Sequence, residues 1–108
     1  MPHDFYCDEV LTGKIQIDKI LETERVLAFR HTRPMWPVHI IVIPKTHIDS
    51  LMALEDTALL LEMMSVLKQV IQKVNQEYGG CRLTTNFGSC QTTKHLHWHV
   101  YVAEKMLS

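Results

Sequence analysis

The segment KHLHWHVY, Lys94 to Tyr101, places histidines at positions 95, 97 and 99 with Leu96, Trp98 and Val100 alongside them. Strict alternation of this kind is the period of a half-buried β-strand, whose successive side chains leave opposite faces. His95, His97, His99 and Tyr101 therefore share one face, and Leu96, Trp98, Val100 and Val102 share the other. The pattern predicts a strand from His95 to Ala103. Its apolar side packs beneath a helix, and its imidazoles lie on an open face.

The helix is legible upstream. From about Glu55 to Tyr78, apolar residues recur at Leu60, Met64, Leu67, Ile71, Val74 and Tyr78, spaced as on one side of an amphipathic helix. The stretch has no Gly or Pro, and Gly79-Gly80 supplies a stop. KILETERVLAFR, Lys19 to Arg30, reads as two short strands around a Glu24-Arg25 turn. HTRPMWP, His31 to Pro37, is a loop, because its prolines lack donors and hold their predecessors extended. VHIIVIP, Val38 to Pro44, is a β-branched run of strand length, and CRLTTNF, Cys81 to Phe87, is a further strand. Strands, one long helix and strands again describe an α+β fold with an antiparallel sheet, residues 1–108 forming a single domain.

Composition narrows the class. Of 108 residues, 46% are hydrophobic and 21% charged, the balance of a globular chain. The formal net charge is -1 without a Lys/Arg cluster, which speaks against a nucleic-acid duplex or an anionic membrane surface as partner. A small nucleotide held by local groups is compatible with it. Cys7, Cys81 and Cys90 are an odd count at irregular spacing and make a poor disulfide framework. With no signal-peptide pattern and no apolar run of bilayer length, the expectation is a reduced, cytoplasmic protein.

What can three alternating histidines do? Same-face residues of a strand lie about 6.8 Å apart, so the outer two are about 13 Å apart, against a Zn–N bond of about 2.0–2.1 Å. Two neighbours can share one ion with ligands from elsewhere, whereas three along a flat strand cannot. Phosphate chemistry fits the row better: one neutral imidazole attacks phosphorus while its neighbour hydrogen-bonds the departing atom, both titrating near neutrality. The plain alternative is a row of exposed, chemically idle strand residues.

KHLHWHVY also has the His-φ-His-φ-His-φ-φ form of the histidine-triad (HIT) family. VLAFRHTRPMWPVHIIVIPKTHI, Val26 to Ile48, resembles that family's AF…D…P…P.H.LVIPK.H segment, and TNFGSCQTTKH, Thr85 to His95, resembles its N.G…GQ…H phosphate loop. The resemblance implies a HIT-like, five-stranded antiparallel sheet with one long helix packed on it, and commonly a homodimer. The surplus of apolar positions from Leu59 to Leu67 agrees with a partner surface. It implies a nucleotide hydrolase or transferase that cleaves at the α-phosphate of a purine nucleotide conjugate through a nucleotidyl-histidine. Phosphoramidates, dinucleoside polyphosphates and mixed anhydrides are the conjugate classes left open. By position His97 is the nucleophile, oriented by a carbonyl, and His99 assists the leaving group. His95 is a supporting member paired with His47. Asn86, Gln91 and Thr92 hold phosphate oxygens, Phe5 and Phe29 line the base pocket, and the route needs no metal. The alternatives are a nucleotide-binding regulatory module with little turnover and a metal-binding protein.

Three departures from the family pattern carry expectations of their own. His31 stands where many members have an acidic residue that clamps ribose hydroxyls, so Arg30 and His31 suit a more anionic substrate. One branch binds a structural zinc through Cys-x-x-Cys and two histidines. Here DFYC has Asp4 in the first cysteine's place; the expectation is no cofactor, and the alternative is an O-S-N-N zinc set of Asp4, Cys7, His47 and His95 in which both histidines are scaffolding. The AEKMLS end lacks the Gly/Trp/Pro-rich tail of the phosphoramidate-hydrolase branch.

Overall fold

The computed structural model describes residues 3–103; the AEKMLS segment from Glu104 onward lies outside them. Five strands, β1 (Lys19–Glu22), β2 (Val26–Arg30), β3 (Val38–Pro44), β4 (Arg82–Thr85) and β5 (Trp98–Val102), form one sheet in the order β1-β2-β3-β5-β4. Every neighbouring pair is antiparallel. A single long helix, α1 (Thr57–Tyr78), joins β3 to β4 and packs on one face.

α1 starts two residues after the predicted boundary. Asp56 accepts the Leu59 N–H at 3.1 Å and caps the first turn, and Gly79 closes the last turn at φ 81°, where a side chain would be strained. The buried stripe is Leu59, Met63, Val66, Leu67, Val70 and Val74, rotated from the predicted one. Leu60, Met64 and Ile71 flank it half-buried, and Tyr78 is exposed. The apolar sector is wider than one stripe, so spacing alone does not locate its centre.

All seven residues of β3 are buried, and period-2 alternation explains why. Val38, Ile40 and Val42 face α1 together with Val26, Ala28, Val100 and Val102. Ile41 and Ile43 face the other way, into a second core with Leu27, Phe29, Tyr6 and Val10. Each fully buried aliphatic side chain contributes roughly 1.5–3 kcal/mol of transfer free energy. The second core exists because a short wide-pitch helical turn, Tyr6–Val10, lies across the sheet opposite α1. The face expected to be open is thus covered beside the histidines.

β5 begins at Trp98, three residues later than predicted. The β3–β5 ladder ends at the Val42–Trp98 pair, and Pro44, near the end of the partner strand, has no N–H to extend it. His95 to His97 are held otherwise: the Leu96 N–H donates to Ile48 O at 2.6 Å, and the Thr85 hydroxyl donates to His97 O at 2.8 Å. Facing still alternates as predicted, with Leu96 in the helix-side core and Trp98 against it.

Candidate active site

The imidazoles sit where β5, β3 and the Tyr6–Val10 turn meet. His95 is 0% and His97 4% exposed, a correction to the open row predicted from the sequence; the Tyr6 ring covers both, at 5.6 and 5.0 Å between centroids. His97 Nδ1 donates to the His95 carbonyl at 2.7 Å. A carbonyl only accepts, so the proton of the neutral ring is fixed on Nδ1 and the Nε2 lone pair is free. Burial lowers the His97 pKa from its usual value, against the hydrogen bond to the His95 carbonyl, which raises it, and keeps that lone pair available at neutral pH.

His99 is oriented by a histidine to which the sequence reading gave no role. His39 of β3, 4% exposed, places Nε2 2.8 Å from His99 Nδ1. His39 Nδ1 accepts the Met35 N–H at 3.4 Å, which leaves the His39 proton on Nε2. His39 therefore donates to His99 Nδ1, and the proton of His99 moves to its outer Nε2. The outcome is a lone pair on His97 beside an N–H on His99, with ring centroids 5.1 Å apart. Burial comes first in lowering both His39 and His99 to about 4, followed by the neighbouring imidazoles. The alternation that grouped residues 95, 97 and 99 also sets His39 opposite Val38 and Ile40, and that signal was sufficient to find it.

A cleft of roughly 790 Å³ lies beside the Tyr6 and His31 rings, which contact His97 and His99, and is lined by Phe5, Tyr6, His31, Thr32, Arg33 and Thr92 among others. Phe5, His31 and Thr92 thus line one cleft. Phe29 does not: at 1% exposure it belongs to the second core and offers no open surface. Gln91 is buried, with its Nε2 donated to Asp49 O at 2.6 Å, so its amide ties the loop to the His47 segment. Asn86 is half-buried just after β4, next to Thr85. Arg30 is paired with Asp18 at 3.0 Å and is not among the cleft residues; Arg33 takes that place.

His47 and His95 belong to a different cluster. Asp4, Cys7, His47 and His95 bring one ligand atom each within 4.8 Å of one another. His95 Nε2 lies 2.9 Å from Pro44 O, and His47 Nε2 lies 2.6 Å from Asp49 Oδ1. With the N–H of each ring on that outer acceptor, as ligation of a metal requires, an Nδ1 lone pair turns inward. Asp4 behaves similarly. Its Oδ1 accepts the Tyr6 and Cys7 N–H groups at 3.0 and 3.1 Å, while Oδ2 lies 2.6 Å from His47 Nδ1 and 2.8 Å from His95 Nδ1.

Acceptors converging on one another call for a cation between them. The Cys7 sulfur completes the set, 3.4 Å from His95 Nδ1. Burial raises the Asp4 pKa, but the opposing hydrogen bonds, led by the Cys7 N–H, hold the carboxyl below its usual range. The Cys7 thiol, by burial first and then the Asp4 carboxylate, is pushed up to about 11, so a metal would have to displace its proton. One carboxylate, one thiolate and two imidazoles fit a tetrahedral zinc ion. With a metal bound there, both nitrogens of His95 would be committed and neither would face the substrate.

Residues 12–106 match the model of the HIT domain. The chain belongs to the HIT family. A HIT family hydrolase from Legionella pneumophila superposes with a TM-score of 0.80 at 29% identity, over 97% of this chain and 96% of its own. A hypothetical histidine triad nucleotide-binding protein from Sulfolobus tokodaii gives a TM-score of 0.82 at 27% identity, over 91% and 67%. The 14 kDa zinc-binding protein of Zea mays is 32% identical over 106 residues, covering 92% of this chain and 81% of that protein. The HIT chain described here thus combines a histidine row and a four-ligand cluster in one small fold, and among its described residues no helix is long and apolar enough to cross a membrane.

Proposed function

We propose that the protein is a nucleotidyl hydrolase or transferase acting at the α-phosphate of a nucleotide conjugate. The observation that carries the reading is the pair of opposed tautomers: a free Nε2 lone pair on His97 and an Nε2–H on His99. His97 attacks phosphorus and the P–O or P–N bond to the leaving group breaks. The departing atom takes the His99 proton. Water then attacks the nucleotidyl-His97, the P–N bond to Nε2 breaks, and its proton returns to His99 as the nucleoside monophosphate leaves. Asn86 and Thr92 supply donors to the phosphate oxygens as charge builds there, and His39 is a positioning residue.

Zinc at Asp4, Cys7, His47 and His95 would hold the Tyr6–Val10 turn against the sheet, and with it the Tyr6 ring over His97. In that role His47 and His95 are structural, His95 orienting His97 through its carbonyl. We also propose a homodimer: β4 has an unpaired edge, where Leu83 is 40% exposed, and Leu61 projects from α1.

The decisive experiment is AMP release from adenosine phosphoramidate with chelator present, for wild type and His97→Ala. Wild-type release that the substitution lowers by about a thousand-fold or more is expected. Tight AMP binding without product from either protein would favour the regulatory binding module instead.

A further inference from the structure

The cleft has a polarity that the reaction does not use. His31 Nδ1 accepts the Arg33 backbone N–H at 2.9 Å, so the proton of the neutral ring sits on Nε2 and His31 offers a donor. The ring is stacked on His39 at 4.3 Å between centroids, with 20° between the planes. Burial and then His97 lower its pKa and keep it neutral. Thr32 and Arg33 follow it into the cleft, facing Thr92 and Thr93 of the loop before the histidine row. Among the described residues no carboxylate pairs with the Arg33 guanidinium. The acidic lining residue, Glu9, has His3 Nε2 2.9 Å from its carboxylate.

We propose that the His31–Arg33 side of the cleft binds a second anionic group of the substrate, a phosphate additional to the one that reacts. The proposal rests on the nucleotide reading above and deepens it. A vicinal diol presents two O–H donors and is matched by an acceptor pair such as a carboxylate. His31, fixed as a donor, cannot provide that, and neither can a guanidinium. Phosphate oxygens only accept, and they match the His31 N–H, the Arg33 fork and the Thr32 and Thr93 hydroxyls together. The second phosphate sits either on the sugar or next along a polyphosphate chain.

The test is equilibrium binding to the full chain at low salt, by calorimetry, of AMP, 2′-deoxyAMP, ADP, adenosine 2′,5′-bisphosphate and adenosine 3′,5′-bisphosphate. At least one doubly phosphorylated ligand is expected to bind about ten-fold tighter than AMP. AMP and 2′-deoxyAMP are expected within about three-fold of each other, since His31 and Arg33, both donors, do not read the diol. Preference for ADP assigns the group to the chain, and preference for a bisphosphate assigns it to the sugar. Arg33→Ala should bring the ratio to near one, and His31→Asp should invert it. AMP binding as tightly as all three, a ratio unmoved in Arg33→Ala, or no binding of any ligand overturns the proposal. The preference without phosphoramidate turnover would leave it standing and overturn only the enzyme reading.

Discussion

Replacing His39 by Phe isolates what the second imidazole does for the first. Phe keeps a ring between His31, 4.3 Å away, and Trp36, 4.7 Å away, and so avoids the cavity that Ala would leave. It removes the N–H donated to His99 Nδ1 at 2.8 Å, along with the longer, 3.4 Å acceptor for the Met35 N–H. A neutral hydrogen bond of this kind contributes about 0.5–1.5 kcal/mol, which sets the bias of His99 toward its outer-proton tautomer at roughly two- to ten-fold. Without the bond, His99 divides its population between tautomers, and those with the proton on Nδ1 cannot protonate a leaving group.

The loss therefore depends on what leaves. For a phosphoramidate with an aliphatic amine, kcat is expected to fall by up to about two-fold, as the outer-proton share drops from about 0.7–0.9 to about 0.5; for an activated aryl ester, which departs without protonation, kcat is expected to stay unchanged. KM should change little in both, because the ground state does not use the proton. His39→Gln, which restores a donor, should recover part of the amine activity. Single-turnover rates with the two substrates make the measurement. Equal losses for both leaving groups would refute the reasoning and reduce His39 to a packing residue.

Three further outcomes follow from the same geometry. Metal analysis of purified wild type should find close to one zinc per chain, and chelation should lower its Tm. Asp4→Ala should lose the metal, become insensitive to chelator and give up about 1 kcal/mol more, because Oδ1 also caps the Tyr6–Val10 turn; Asp4→Cys should keep the metal. Acid should destabilise the fold between pH 6.5 and about 4, because His39 and His99 are lowered from 6.5 to about 4. The unfolded chain then takes up protons first as pH falls, so their contribution is intact above pH 6.5 and lost toward pH 4. A thermal-melt series should show a shallower acid limb in His39→Phe. Leu83→Lys at the edge of β4 should halve the mass seen by light scattering, and a monomeric wild type would remove the dimer.

The sequence carried the fold where periodicity was strong. The alternation of residues 95–102 and the β-branched run of residues 38–44 place two adjacent strands and assign their faces. The Tyr6–Val10 turn was not legible, because DFYCDEVL has no usable period. Its order comes from partners far along the chain: Asp4 meets His47 and His95 across 43 and 91 residues. Local propensity contains no information at such separations. For the same reason the exposure of the histidine row was misjudged, since what covers it comes from the other end of the chain.

The division of labour among the histidines shows where pattern stops and geometry begins. In sequence His95, His97 and His99 are equivalent members of one motif. In the fold their second nitrogens differ in partner: Pro44 O beyond His95, the His95 carbonyl beside His97, His39 behind His99. Those partners decide which ring nitrogen keeps its lone pair, and hence which imidazole can ligate a metal, attack phosphorus or deliver a proton. A motif fixes the residue type, whereas the role is fixed by an acceptor or donor on another strand. That is why Asp4 and His31, both conspicuous departures in the sequence, acquire meaning only beside the rings they face. Asp4 closes a set of ligand atoms suited to a cation, and His31, turned into a donor by the Arg33 N–H, changes what the cleft can hold.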